Sequence, residues 1–483
     1  MHYVIFYPDE MRAKSLGCYG NQTVSTPNFD RLAAEGVVFE NNYTQHPVCV
    51  ASRCAMMTGW YPHVAGYRTL LHYIEPYQPN FLRYIKQAGY QIHMYGKNHV
   101  FSEETFAECV DYHSNPKFGS IGSGLKGEAL EALMKVLSCE DYTMLKQALP
   151  DSELERINDT VCVNMAVDAI RSYRDGDKPL FIFVPIFNPH APYYATEHFH
   201  NLYSPDDMPE PLPADLPGKP SAYRLIRKYR GLEHADPKLF KRINAIYQGM
   251  CSYCDMLFGR ILDALDDTGL ADETTVILSS DHGDWAGDYG LVEKWPNAFD
   301  DCLTKVPLVV RAPGCKKGHR VSELSETFDI FPTICELEGI PIRHSQFGRP
   351  FTAQLRGERG DPGRVVYCEG GYDTWEPHAF EGYLDGGNFE VTKNEGNIYY
   401  PKVAQQRLDP ESVCRGLMMR DSRYKCVVRT NGENELYDME ADPDELDNLY
   451  GKPEYAETAA KFEKRMLTWL IGTSDVVPWE RHR

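Results

Sequence analysis

The sequence predicts a large α/β unit with a smaller appendage, on three observations. Short runs of apolar, β-compatible residues recur at wide spacing, namely Tyr3-Val4-Ile5-Phe6-Tyr7, residues 180–187 and Thr275-Val276-Ile277-Leu278-Ser279-Ser280. This is the pattern of strands buried on both faces of a sheet. Between them lie segments bounded by helix start and stop residues. The chain has 483 residues, more than one typical domain and enough to bury a large core.

Taken in order, residues 3–7 form the first strand and deliver Asp9 and Glu10 to its carboxyl end. Thr26 is placed to cap a helix, with Pro27 at the first helical position and Gly36 just past its end. After Val37-Val38-Phe39, a helix is expected to begin at or near Cys49 and to stop at Thr58-Gly59. Cys49 then faces unpaired backbone N–H groups and the positive end of a helix dipole, where an anion is stabilised. Residues 80–89 repeat the first helix arrangement. The strand at 180–187 carries His190 to the same edge as Asp9, and the strand at 275–280 does so for Asp281 and His282. Open α/β sheets bind ligands beyond the carboxyl ends of their strands.

Residues 241–269 read as one long amphipathic helix, whose Cys251 and Cys254 are expected to be buried packing and not a metal or redox pair. Segments around 100–150 and 194–235 interrupt the rhythm. Pro209-Glu210-Pro211-Leu212-Pro213 suggests surface insertions of the kind that shape a pocket. The polar Gly/Pro-rich stretch at 355–363 marks a boundary, dividing the chain into a domain of residues 1–365 and a smaller one of 366–483. Strands at 424–428 and 436–437 and a closing helix over 456–470 follow it.

A formal net charge of −20 argues against nucleic acid as a partner, because phosphate-backbone binding rests on clustered Lys and Arg. No stretch reaches the ~20 apolar residues that span a bilayer, so no membrane association is expected. Met1 leads almost directly into the first strand, so no signal peptide is expected. Fourteen cysteines without framework spacing fit a reducing compartment, and a cytoplasmic location is expected. Sequons such as Asn42-Tyr43-Thr44 are taken as chance.

Function is legible in a few motifs. Asp9, Glu10, Asp281 and His282 arrive from two strand ends as an oxygen-rich set that suits Ca²⁺ or Mg²⁺ better than Zn²⁺. Cys49-Val50-Ala51-Ser52-Arg53, with Thr58-Gly59 downstream, is by itself most simply a buried cysteine at a helix start. In company it means more. The order C-x-A-x-R with a following T-G resembles the signature of the type I sulfatases, of the alkaline phosphatase superfamily. So do Leu16-Gly17-Cys18-Tyr19-Gly20-Asn21, Thr26-Pro27-Asn28-Phe29-Asp30-Arg31-Leu32, Gly96-Lys97-Asn98-His99, Phe187-Asn188-Pro189-His190-Ala191-Pro192 and Glu435-Leu436-Tyr437-Asp438. Ala51 stands where the family more often has Pro, and Glu10 where many members carry a second Asp.

The resemblance implies a large mixed sheet flanked by helices, with an antiparallel sheet in the smaller C-terminal α+β part. It implies a sulfuric ester hydrolase acting on a sulfated saccharide, such as one derived from glycosaminoglycan. Cys49 would be converted by a sulfatase-maturing enzyme to formylglycine (3-oxoalanine). The cation, Ca²⁺ with Mg²⁺ or Mn²⁺ as alternatives, would be held by Asp9, Glu10, position 49, Asp281 and His282. Arg53 and Lys97 would hold the aldehyde hydrate, and His99 would take a proton from it. Lys294 and His190 would contact sulfate, with His190 protonating the leaving oxygen. Sulfate ester cleavage needs such a set, since negative charge accumulates on the departing oxygen. Two alternatives stand beside this reading: a phosphonate monoester or phosphodiester hydrolase of the same superfamily, and a catalytically silent binding protein with Cys49 unmodified.

Overall fold

The structure, a computed structural model, describes residues 1–114, 142–373, 375–376 and 395–477. Part of the insertion expected at 100–150 therefore lies outside the described residues. Twelve strands form two sheets among them: β1 (His2–Phe6), β2 (Val37–Tyr43), β3 (Gln91–Met94), β4 (Tyr112–His113), β5 (Leu180–Val184), β6 (Thr274–Ser279), β7 (Leu308–Arg311) and β8 (His319–Glu326) make the large one. β9 (Val366–Gly370), β10 (Gly416–Arg420), β11 (Tyr424–Arg429) and β12 (Glu435–Asp438) make the small one, which is antiparallel throughout.

The large sheet runs β4-β3-β5-β1-β6-β7-β2-β8. β7 pairs antiparallel with both neighbours, and every other pairing is parallel. The carboxyl ends of β1, β2, β3, β5 and β6 therefore open on one edge. Along β1 the side chains alternate: Tyr3 and Ile5 enter the core on one face, Val4 and Phe6 the core on the other. That is why the run is apolar at every position. β5 ends at Val184, three residues short of expectation, because Pro185 offers no N–H to the ladder.

Six helices matter for the argument: α1 (Pro27–Glu35), α2 (Cys49–Thr58), α3 (Phe81–Gln87), α4 (Asn158–Ser172), α5 (Pro237–Asp267) and α6 (Ala456–Thr473). α2 and α3 cover one face of the large sheet, and α1, α4 and α5 the other. Asn80 caps α3 by accepting from Arg83 N at 3.0 Å, and Gly89 (φ +95°) follows its end.

Both expectations at the ends of α1 need correction. Thr26 precedes the helix, yet its hydroxyl accepts from Gly17 N instead of capping. The carboxylate of Asp255, on α5, caps α1, accepting from Phe29 N at 2.7 Å and Asn28 N at 3.2 Å. Gly36 is extended (φ −130°), not left-handed. A Cβ there would stand 2.5 Å from Val310 O, so it is strand contact that requires glycine.

α5 starts four residues earlier than the periodicity suggests, because Asp236 accepts from Lys238 N and Pro237 occupies the first helical position. Cys251 and Cys254 are fully buried in it, and every described cysteine is a free thiol. Asn42 of the sequon is buried on β2. The small sheet is held to the large unit by buried charge. Lys425 Nζ lies 3.0 Å from Asp301 and 2.6 Å from Glu445, and Glu445 accepts from Asp301 N at 2.7 Å. No described helix is long and apolar enough to cross a membrane.

Candidate active site

Five strand ends bring the expected residues together. Asp9 and Glu10 follow β1, Cys49 follows β2, Lys97 and His99 follow β3, His190 follows β5, and Asp281 and His282 follow β6. Lys294 comes from the loop after β6. All are buried.

α2 starts at Cys49, as its sequence requires. Gly59 closes it in the left-handed conformation (φ +70°), donating to Ala55 O at 2.8 Å. Ser52 bolts the first turn to the sheet: its hydroxyl donates to Asp281 O at 2.7 Å and stands 2.7 Å from the Thr44 hydroxyl. Position 49 is thereby held beside the D-H-G segment. Within that segment, a Cβ on Gly283 would stand 2.0 Å from Cys302 O, so nothing larger fits. Gly96 is equally constrained, with φ +138° and a Cβ position 2.1 Å from Pro185 O. Gly96→Ala is expected to cost about 1–3 kcal/mol by overpacking and to displace Lys97 and His99. Thermal unfolding and activity measured together check this, and an unshifted midpoint would contradict it.

Two cations grip Asp9. Lys97 Nζ (2.6 Å) and Arg53 Nη2 (2.8 Å) both reach its Oδ2. Burial alone would raise the Asp9 carboxyl, but Lys97 and Arg53 overcome it and hold the group well below the usual range. Arg53 Nε also donates to Asp281 Oδ2 at 2.8 Å, and Asp281 Oδ1 accepts from the backbone of Glu10 and of His282. Asp9 Oδ1 and His282 Nε2 remain buried without a hydrogen-bond partner, 3.9 Å apart. His282 Nε2 is also 3.9 Å from Asp281 Oδ2.

Separations of this size are what donors at about 2.4 Å from one cation subtend at an open angle. Ligand atoms of Asp9, Cys49, Asp281 and His282 lie within 4.8 Å of one another. His282 is lowered to about 4, chiefly by burial, so its ring is the neutral form a cation needs. The donor set thus fits a hard divalent cation. Glu10 does not join it. Its ligand atom groups with Asp9 and His190.

On the other side of Asp9, Lys294 Nζ lies 2.6 Å from His190 Nε2, and burial together with the Lys294 and Lys97 charges holds His190 well below its ordinary value. His99 is lowered likewise, by burial first and then Lys97. Sequence reasoning missed several supports. Arg230 pairs with Glu293 at 2.5 Å, and Asp159 accepts from the backbone of Phe187 and Asn188 at 2.8 Å, setting the loop before His190. Tyr247 OH donates to Glu10 O at 2.7 Å. Glu293 adjoins Lys294 and so had a local signal; Asp159 and Tyr247 had none.

Fold and site together define an α/β enzyme that gathers cations and acidic groups at the carboxyl edge of a mixed sheet to handle an anionic ester. The sulfatase family model matches residues 2–340, and a second one, "N-sulphoglucosamine sulphohydrolase, C-terminal", matches residues 392–470. An arylsulfatase of Clostridium perfringens is 27% identical, over 98% of this chain and 95% of the relative. Among solved structures, a phosphonate monoester hydrolase of Silicibacter pomeroyi superposes with a TM-score of 0.76 at 20% identity, covering 98% of this chain and 95% of that one. A protein solved in complex with its substrate D-glucosamine-2-N,6-O-disulfate gives 0.70 at 20% identity, covering 100% and 99%. At such identities these two establish the fold. The chain belongs to the sulfatase family, and it is a sulfuric ester hydrolase.

Proposed function

We propose that the enzyme removes sulfate from a small sulfated saccharide, using a formylglycine made from Cys49 by a sulfatase-maturing enzyme and a divalent cation, Ca²⁺ by preference. The observation that carries this reading is the pair of buried, unpartnered atoms Asp9 Oδ1 and His282 Nε2 aimed at one point beside Cys49. Burial pushes the Cys49 thiol up to about 11. A protonated thiol is a poor nucleophile and a poor ligand, whereas oxygen at this position suits the set. Formylglycine, as its hydrate, would supply one hydroxyl to attack sulfur and a second to expel sulfate, and the cation would make the first more acidic.

The chain's own residues do the rest. Asp9, Asp281 and His282 hold the cation. Arg53 and Lys97 would neutralise charge at position 49, and His99 would take a proton there. Lys294 binds the sulfate, and His190 gives a proton to the leaving oxygen, the electron pair of the broken S–O bond staying on that oxygen. A reducing, cytoplasmic setting agrees with the free cysteines. A second reading, phosphonate monoester hydrolysis, is favoured by the likeness in fold to the Silicibacter enzyme.

Matured protein assayed against defined sulfated mono- and disaccharides, 4-nitrophenyl sulfate and a phosphonate monoester separates the two. The sulfatase reading expects the sulfate esters to be turned over best; phosphonate hydrolysis faster than every sulfate ester would overturn it. Intact-mass analysis of the Cys49 peptide tests the modification. His190→Ala is expected to lose much more kcat/KM on a sugar sulfate than on 4-nitrophenyl sulfate, within the ~10²–10⁴-fold range of general acid catalysis. Lys294→Ala, which takes away the sulfate's cation as well as the ammonium on His190 Nε2, should impair both substrates. Equal losses in His190→Ala would move the proton donor elsewhere.

A further inference from the structure

We propose that Glu10 is the positioning carboxylate of His190 and not a ligand of the cation. This rests on the reading of His190 as the leaving-group acid. Both oxygens of Glu10 are engaged on the His190 side. Oε2 lies 3.3 Å from His190 Nδ1 and accepts from Ala191 N at 3.3 Å, while Oε1 lies 3.4 Å from Lys294 Nζ. Glu10 and His190 therefore already share a cation of the chain's own, the Lys294 ammonium.

Neighbouring residues diverge here because the backbone turns between them. Glu10 has φ +71°, a left-handed conformation that costs a non-glycine residue about 1–3 kcal/mol. Tyr247 OH on its carbonyl (2.7 Å) and Asp281 Oδ1 on its N–H (3.1 Å) hold it there. Asp9 thus lies between the two histidines, its Oδ1 3.9 Å from Nε2 of each, whereas Glu10 reaches the His190 side. Glu293 is left-handed as well (φ +63°) and stands 3.7 Å from Lys294, so two buried glutamates flank that ammonium.

The consequence is a fixed tautomer. His190 Nδ1 faces two acceptors, Glu10 Oε2 and Ala191 O, and carries a hydrogen toward them. Nε2 accepts from the Lys294 ammonium at 2.6 Å, so the proton it passes to the departing oxygen is one taken from that ammonium. After that transfer the ring is neutral, with its remaining hydrogen on Nδ1. Loss of Glu10 leaves Ala191 O as the acceptor at Nδ1, so the ring is held less firmly, and it removes no group from the Asp9, Cys49, Asp281 and His282 set.

Glu10→Gln, His190→Ala and the double variant, matured and loaded with Ca²⁺, test this with phenyl sulfate and 4-nitrophenyl sulfate. Elemental analysis should find the same cation content in Glu10→Gln as in the parent. Its kcat on phenyl sulfate should fall about 10–100-fold, the range for residues that orient a functional histidine, with KM little changed and a much smaller loss on 4-nitrophenyl sulfate. In the His190→Ala background, Glu10→Gln should cost nothing further on phenyl sulfate. Loss of the cation, equal losses on both substrates, or effects that multiply in the double variant would each overturn the proposal. If His190→Ala itself shows no leaving-group preference, the acid assignment falls, and cation content and the double variant still decide whether Glu10 acts through His190. Should Glu10→Gln fail to fold, Glu10→Asp keeps the charge with a shorter reach, and is expected to keep the cation and lose less on phenyl sulfate; a lost cation there would also overturn the proposal.

Discussion

Replacing Cys49 by serine will abolish multiple turnover and leave the fold intact. Serine is close in size, and position 49 stays at the start of α2 whichever of the two side chains it carries, because Ser52, with its bonds to Asp281 O and the Thr44 hydroxyl, holds that turn in place. Chemistry makes the difference: one hydroxyl can accept the sulfuryl group, but no second oxygen on the same carbon remains to release it. Mass spectrometry after incubation with 4-nitrophenyl sulfate should show at most a single sulfated serine, and thermal unfolding should match the parent. Sustained turnover by Cys49→Ser would sink the formylglycine mechanism. Cys49→Ala, with no oxygen at all, should be inactive and unlabelled.

The second large effect is expected at the cation. Asp281→Asn keeps the volume of the side chain and an oxygen to accept from Glu10 N, but it withdraws the charge that Arg53 Nε engages and that the proposed cation would share. The variant should lose its bound Ca²⁺ by elemental analysis, and kcat/KM on every sulfate ester should fall by roughly 10²–10³-fold or more, the scale on which an electrostatic stabiliser at a reacting group is felt. Some destabilisation should accompany it, because breaking a buried ion pair leaves a charge uncompensated, at about 3–5 kcal/mol. Chelation of the parent enzyme should reproduce the kinetic loss, and added Ca²⁺ should reverse it. Full cation content in Asp281→Asn would remove Asp281 from the ligand set.

Much of this site could be read before any coordinates. The strand ends at Asp9, His190 and Asp281 follow from apolar runs that stop abruptly, and the helix start at Cys49 follows from the segment between Val37-Val38-Phe39 and Gly59. Such features are local, written in a few consecutive residues. Where the reading failed, the deciding partner was distant in the chain. Thr26 has the chemistry of a cap, but Asp255, more than two hundred residues away, reaches the same N–H groups first. Gly36 has the look of a helix terminator, but the carbonyl of Val310 on a neighbouring strand is what excludes a side chain there.

By itself, then, the sequence determined the α/β class and the acidic, imidazole and thiol groups delivered to one edge, while the mixed sheet and the small antiparallel sheet near the C-terminus were what the family resemblance implied. These depend on hydrophobic period, breakers and motif order, which a linear chain carries in full. Only the tertiary structure decided which way each delivered group faces. Glu10 adjoins Asp9 in the chain, and nothing local distinguishes a second cation ligand from a partner of His190. The order β3-β5-β1-β6 places the loops bearing Lys97, His190, Asp9 and Asp281 side by side, and with the left-handed turn at Glu10 Asp9 stands between His282 and His190 while Glu10 reaches His190 and Lys294. The physical reason is that direction at a buried site is set by backbone dihedrals and by whichever charged group packs opposite, and both are fixed only when distant segments meet.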